Sequence, residues 1–190
     1  MSQTAARPMS LDEFFAFQET QDVRYELVNG APVRMMAGAK NVHNDIVINI
    51  LGELRSRLRG SGCKPFHGDG SVETYPGQIR RPDAGINCGD HERDGLMADR
   101  PRVIVEVLSP STRDFDTYGK VEEYKAIASV HTILLVDPNR PDVLVWSRSD
   151  ERGWTSATFT SLDDEIAIEN PDLVLPLTAI YEDVAFPDPS

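Results

Sequence analysis

RVIVEVLS, residues 102–109, is the stretch that decides the fold, because its β-branched residues predict a strand and its apolar run predicts burial. Val103 to Val107 are apolar except for Glu106, which is typical of a central strand covered on both faces. An ionised carboxylate in an apolar sheet carries a large desolvation cost unless it has a partner. Glu106 is therefore the first candidate functional residue.

Helices and further strands are predicted on both sides of this strand. Ser10 and Glu13 form a capping box for a first helix, and the Asn29-Gly30 dipeptide predicts a tight hairpin. The other predicted elements are a long amphipathic helix (42–60), strands in 63–68, 71–77 and 83–89 that share the Glu106 sheet, a helix (114–128), two strands (131–138 and 142–148), and a terminal hairpin with a short helix (177–184). This order indicates an α/β (α+β) fold.

The composition is that of an ordinary globular protein and predicts a single domain spanning residues 1–190. No run approaches the roughly 18 apolar residues of a membrane span, and the first ten residues lack the apolar core of a signal peptide, so a cytoplasmic location is expected. Cys63 and Cys88 form no C-x-x-C pair and have no histidine at ligand spacing. They are predicted to be reduced thiols.

The formal net charge of −12 argues against nucleic-acid binding, which usually needs clustered Lys and Arg. Two considerations weaken the objection. An acidic site for a divalent cation adds negative charge, and a local basic patch can persist in an acidic protein.

Two carboxylates are predicted to meet on neighbouring strands. Pro82-Asp83 opens one strand, and Glu106 lies inside another, 23 residues later. A hard divalent cation bound through oxygen would make a buried Glu106 favourable. The alternatives are an ion pair with an arginine (Arg80, Arg81 or Arg102) or an edge strand that leaves Glu106 in contact with water.

The sequence resembles the restriction-endonuclease-like Uma-two family, which belongs to the PD-(D/E)xK nuclease superfamily. The resemblance is carried by RPDAGI (81–86) and by RPRVIVEVLSPSTRDFD (100–116) with Lys120 and Tyr124 downstream. It extends from the helix beginning at Ser10 through VHTILLVDP (130–138). EVLSPST with the downstream Lys and Tyr is specific, whereas the Pro-Asp dipeptide alone is weak.

The resemblance implies a restriction-endonuclease-like fold, with a mixed β-sheet core flanked by helices and an N-terminal helix and hairpin. It also implies a magnesium ion held by Asp83, Glu106 and the backbone carbonyl of Val107, with manganese as a substitute. The superfamily usually places a lysine two residues after the glutamate, where this chain has Leu108. In families like this one the lysine is carried by the following helix, which nominates Lys120.

Without the family pattern, Lys120 would be a solvated helix lysine that pairs with Glu123 or Asp116. Glu26 resembles the superfamily's early glutamate, which completes the metal shell or positions its waters. Its alternative is the outer face of the hairpin.

Four residues form a second tier of candidates. His43 matches a family histidine that contacts a phosphate, a water or a metal ligand, although helix histidines more often pack or cap. Asp116 and Tyr124 match family residues that could orient Lys120 and its helix, and both could equally be structural. Arg113, in a polar loop after the Glu106 strand, could meet a phosphate or simply belong to the surface.

The function implied is metal-dependent hydrolysis of DNA phosphodiester bonds. A catalytically degenerate nuclease fold that acts as a binding or assembly module is the alternative, favoured by Leu108 and by the acidic charge. An unrelated metal-dependent phosphoesterase ranks last, because it would need a histidine-rich ligand set that the sequence lacks. Nucleases of this class often pair to cut two strands, so a homodimer is a further expectation.

Overall fold

The computed structural model describes residues 7–35, 40–109 and 119–187. It contains four helices and twelve strands within these ranges. In chain order they are α1 (Leu11–Glu19), β1 (Tyr25–Val28), β2 (Ala31–Arg34), α2 (Asn41–Arg57), β3 (Lys64–His67), β4 (Val72–Tyr75), β5 (Gln78–Arg80), β6 (Ala84–Asn87), β7 (Pro101–Val107), α3 (Val121–Ala126), β8 (Thr132–Val136), β9 (Val143–Ser149), β10 (Gly153–Phe159), β11 (Glu165–Glu169), β12 (Asp172–Pro176) and α4 (Leu177–Ile180).

A six-stranded mixed sheet with the order β10-β9-β8-β7-β6-β3 forms the centre of the fold. The β7–β8 pair is parallel and the other neighbouring pairs are antiparallel, so the predicted mixed sheet is confirmed. β7 lies in the middle. Alternate residues of β7 pack into two different cores, Val103 and Val105 with α2 and Ile104 with α3. The predicted central strand covered on both faces is therefore confirmed.

The N-terminal elements form where the sequence predicts them. Ser10 Oγ accepts a hydrogen bond from the Glu13 backbone N–H, and Glu13 Oε2 accepts one from the Ser10 backbone N–H, which completes the capping box. The hairpin between β1 and β2 turns at Asn29 and Gly30, whose φ angles are 52° and 75°. Both positive values suit a tight turn that matches the twist of the strands.

One prediction about the sheet was wrong. The 71–77 segment was expected in the sheet of Glu106, but β4 instead belongs to a second sheet with the order β2-β1-β5-β4. Its partner β5 has only three residues, too few to give a sequence pattern. A turn at Gly77, with φ 77°, joins the two strands and closes their antiparallel pair.

The helices lie where the sequence predicts them, although α2, α3 and α4 end earlier than predicted, with α2 ending at Arg57 and α4 at Ile180. Ile46, Ile50 and Leu54 of α2 are buried against the central sheet, as the amphipathic pattern predicts. The predicted helix 114–128 is seen as α3 from residue 121, and residues 114–118 lie outside the described ranges. The tail from Trp154 contains the predicted hairpin, as β11–β12, and the predicted short helix, as α4, while Trp154 itself lies on β10, which pairs with β9 in the central sheet.

The prediction of reduced cysteines was wrong, because Cys63 and Cys88 form a disulfide. β3 pairs with β6 in a register that places Lys64 opposite Asn87. Cys63 precedes Lys64 and Cys88 follows Asn87, so the two cysteines face each other. Across residues 7–35, 40–109 and 119–187, no helix is long and apolar enough to cross a membrane.

Candidate active site

The pairing of β6 with β7 brings Asp83 and Glu106 to the same level of the central sheet. Ala84 lies opposite Val105 in this antiparallel pair. Asp83, which precedes Ala84, is therefore beside Glu106, which follows Val105. The Val107 backbone N–H donates a hydrogen bond to Asp83 Oδ2 over 2.8 Å. The expectation that the two carboxylates occupy neighbouring strands is therefore confirmed.

Asp83 lies at the border between the core and solvent, with its side chain 25% exposed. His43, at the start of α2, places Nε2 3.3 Å from Asp83 Oδ2. Burial lowers the pKa of His43, but the hydrogen bond and the charge of Asp83, with the backbone of Val107, outweigh burial and raise it. Asp83 Oδ1 accepts no hydrogen bond within the described part of the chain and so leaves a carboxylate oxygen free for a ligand.

Glu106 is buried, with 3% of its surface exposed. Its Oε1 accepts hydrogen bonds from Lys120 Nζ over 3.2 Å and from the Tyr124 hydroxyl over 2.6 Å. The edge-strand alternative is thus excluded. Burial, followed by the charges of Glu106 and Glu26, raises the pKa of Tyr124 well above its usual value, so the hydroxyl acts as a hydrogen-bond donor.

Lys120 lies immediately before α3 and points into the site. Its Nζ is 3.2 Å from Glu106 Oε1 and 3.6 Å from Glu26 Oε1. The residue is 9% exposed, which contradicts the alternative of a solvated helix lysine. Two carboxylates offset the cost of burying the ammonium group. Asp116, the other predicted partner of a solvated Lys120, lies outside the described residues, as does Arg113.

Glu26 is also buried, at 7% exposure, so the alternative of a solvated hairpin face is wrong. Its Oε2 accepts a hydrogen bond from Arg80 Nη1 over 2.8 Å, and its Oε1 accepts one from the Arg81 backbone N–H over 3.1 Å. Glu26 therefore links the second sheet to Lys120.

Arg80 and Glu123 complete the network and were not predicted to belong to the site. Arg80 donates to both carboxylate oxygens of Glu123, from Nε over 2.7 Å and from Nη2 over 2.6 Å. Bidentate pairs of this kind are among the stronger hydrogen-bonded pairs in proteins. Because Arg80 lies on β5 and Glu123 on α3, the pair fixes α3, and with it Lys120, against the second sheet. A sequence signal was present, since Arg80 and Arg81 directly precede Pro82-Asp83 in a chain with few basic residues.

The Arg80–Glu123 pair predicts a pH dependence of stability. Burial would raise the pKa of Glu123, but the hydrogen bonds and charge of Arg80 outweigh it, so the pKa is lowered from 4.5. A lowered folded-state pKa stabilises the protein above the unfolded value, and that contribution is lost as the pH falls through the folded-state pKa. At neutral pH we expect Glu123→Gln to lower the free energy of unfolding by about 2 kcal/mol.

The measurement is urea unfolding of both proteins at several pH values. The difference in the free energy of unfolding between wild type and Glu123→Gln should become smaller as the pH falls below 4.5. Glu122→Gln is the matched control, because exposed Glu122 pairs with Lys125 at the surface and loss of that pair should cost little at any pH. A difference for Glu123→Gln that stays constant with pH would contradict the interpretation.

The donor chemistry of the site fits a hard divalent cation. Asp83, Glu106 and the Val107 carbonyl offer oxygen atoms, the ligands that such cations prefer. Within these same ranges no three or more His, Cys, Asp or Glu side chains converge on one point that could hold a metal. Two carboxylates and a carbonyl would leave several positions for water, which suits magnesium.

Known proteins match the chain over most of its length. The sequence model of the Uma2 family, described as "Putative restriction endonuclease", matches residues 11–178. "Uncharacterized protein slr1290" of Synechocystis sp. is 25% identical over 180 residues, which cover 94% of each chain. The crystal structure of "a putative nuclease belonging to DUF820" from Anabaena variabilis gives a TM-score of 0.70 at 18% identity, over 91% of this chain and 97% of that one. At that identity the likeness shows the fold, which is nuclease-like as expected.

Proposed function

This chain belongs to the Uma2 family, and from that premise we propose that it is a metal-dependent endonuclease that hydrolyses DNA phosphodiester bonds. We propose further that residues 1–190 act as one restriction-endonuclease-like domain. The observation that carries the proposal is the burial of Lys120 against Glu106, one strand away from the partly exposed Asp83. An ammonium group beside two carboxylates is suited to phosphodiester chemistry, which needs both a cation site and a donor for the developing negative charge.

Magnesium is the proposed cofactor, with manganese as a substitute, and Asp83, Glu106 and the Val107 carbonyl would hold it. When bound, such an ion polarises a phosphodiester oxygen and lowers the pKa of a coordinated water. These ligands come from two hydrogen-bonded strands, whose backbones fix their relative positions.

The other residues of the site orient the donors. In the proposal, Lys120 Nζ directs the attacking water or stabilises the charge that develops on the phosphate. The Tyr124 hydroxyl holds Glu106 Oε1 in place, and His43 does the same for Asp83 Oδ2. Glu26 and its partner Arg80 support Lys120 from the second sheet. The carboxylates that bind Lys120 are themselves held by hydrogen bonds, which is the preorganisation that a catalytic donor requires.

A calorimetric titration combined with a nicking assay tests the proposal. Wild type should bind magnesium or manganese and nick supercoiled plasmid, and EDTA should stop the nicking. Asp83→Asn keeps an acceptor for the Val107 N–H but removes the charge, so it should lose both properties. Metal binding without nicking of any DNA would favour the degenerate module, and wild type that binds no divalent cation would overturn the proposal.

Lys120→Met is expected to retain metal binding but to nick about 100- to 1,000-fold more slowly, because one positioned donor is removed. Lys125→Met is the matched control. Lys125 lies on the same helix, but its Nζ pairs with Glu122 over 2.8 Å and lies over the Trp146 ring, away from Glu106. Equal nicking by the two variants would exclude a catalytic role for Lys120.

A further inference from the structure

A basic cavity lies at the C-terminal end of α2, outside the Asp83 and Glu106 site. It has a volume of about 360 Å³, and three of its lining residues are cationic, namely Arg55, Arg59 and Lys64. Among the residues that the structure describes, no acidic residue lines it. This is unexpected in a chain with 31 acidic and 19 basic residues, where scattered basic residues would usually have acidic neighbours.

The three cations are available to a ligand. All are exposed, and none forms an ion pair within the described ranges. Arg57, which lies between Arg55 and Arg59 in the chain, differs from them because it pairs with Glu53 and does not line the cavity. Keeping like charges together without a counterion is unfavourable, so an anionic ligand would stabilise the arrangement.

Two glycines leave part of the cavity wall open to a ligand, and a disulfide fixes another part of it. Gly60 and Gly62, with φ angles of 79° and 83°, have nothing within 4 Å of the place a Cβ would occupy, so a ligand can approach their backbone closely. Cys63 also lines the cavity, and its disulfide to Cys88 ties this wall to the end of β6. Since β6 begins directly after Asp83, one strand connects the cavity to the candidate active site.

The two sites are close enough for one DNA duplex to contact both. His43, which contacts Asp83, and Arg55 are both on α2, 12 residues apart. At 1.5 Å per residue this is about 18 Å along the helix axis. Successive phosphates of one DNA strand rise by about 3.4 Å along the duplex axis, so a duplex of about 20 base pairs, about 68 Å long, can contact both sites at once.

We propose that this cavity binds backbone phosphates of duplex DNA beyond the bond that is cut. The proposal rests on the proposed nuclease function and adds the surface that holds the substrate. It also accounts for nucleic-acid binding by an acidic protein, because the contact needs only a local cluster of cations.

The test is fluorescence anisotropy with a labelled 20-base-pair duplex in EDTA, so that binding is measured without cleavage. Arg55→Ala/Arg59→Ala should weaken binding about tenfold at low salt and should reduce the slope of log affinity against log salt by about two, one for each lost phosphate contact. Lys64→Ala should reduce the slope by about one. Arg57→Ala/Arg152→Ala removes the same charge from two other exposed positions and should bind like wild type.

The outcomes separate this proposal from the proposed function. Wild type that binds DNA through these residues but nicks no plasmid would leave the binding surface intact and overturn the nuclease. If wild type nicks plasmid but both double variants bind DNA equally well, the nuclease proposal stands and the proposed binding surface is overturned. If Arg55→Ala/Arg59→Ala loses binding to phosphatidylglycerol vesicles but binds DNA like wild type, the proposal is overturned in favour of a lipid surface. Thermal unfolding of each variant checks that these exposed substitutions leave the fold unchanged.

Discussion

Plasmid nicking is expected to fall about a thousandfold in Glu106→Gln, while the variant stays folded. Glutamine has the size of glutamate, and its carbonyl oxygen can still accept the hydrogen bond of the Tyr124 hydroxyl. The negative charge is lost, however, and with it one proposed metal ligand and the partner of Lys120 Nζ. Two elements of the site are therefore removed by one isosteric change.

The measurement is nicking at saturating magnesium together with calorimetric titration of the metal. Both signals should be lost in Glu106→Gln. Glu165→Gln is the matched control, because Glu165 is a strand glutamate that is exposed on β11. A Glu106→Gln protein that nicks plasmid at the wild-type rate would remove this residue from the mechanism. A variant that binds metal normally but fails to nick would restrict Glu106 to holding Lys120.

Sequence alone was sufficient to identify the strand that carries Glu106 and to suggest that Asp83 lies beside it. Both inferences depend on local features, namely a β-branched apolar run and a carboxylate at the start of a short strand. These local features are present whatever the surrounding fold, so they can be read from the sequence alone. The antiparallel pairing of β6 and β7 then brings the two residues together.

Lys120 is a different case, because no local pattern distinguishes it from a solvated helix lysine. The family resemblance predicts its role, and its burial depends on how the start of α3 packs against β7 and the second sheet. Arg80 and Glu123, which fix that packing, are 43 residues apart in the chain. Contacts of that range follow from tertiary structure and leave no periodicity in the sequence.

The disulfide shows the same limit. Cys63 and Cys88 are separated by 25 residues, and their spacing matches no common framework. Their meeting follows from the register of β3 against β6, in which Lys64 faces Asn87. The partner of β3 could not be deduced from a four-residue strand, whereas the register makes the contact between the two cysteines unavoidable.

Arg80→Met is expected to lower the free energy of unfolding by about 3–5 kcal/mol, the largest stability effect anticipated for this chain. Arg80 is 3% exposed and neutralises two carboxylates, Glu26 and Glu123. Burial lowers the pKa of Arg80, but these two partners outweigh it and raise the pKa, so the guanidinium stays charged. Methionine fills similar space without the charge, and it leaves buried Glu26 and partly buried Glu123 without the guanidinium. Urea unfolding of the two proteins at neutral pH measures the difference.

A double-mutant cycle with Glu123→Gln separates the pair from the general cost of altering the interior. Each single substitution leaves a buried group without its partner, whereas the double variant removes both members of the pair. The double variant should therefore be more stable than the sum of the two single losses predicts, by about 1–3 kcal/mol. Additive losses would mean that Arg80 acts mainly through Glu26, which it contacts over 2.8 Å. In that case the second sheet, and not α3, would be the element that Arg80 holds in place beside Lys120.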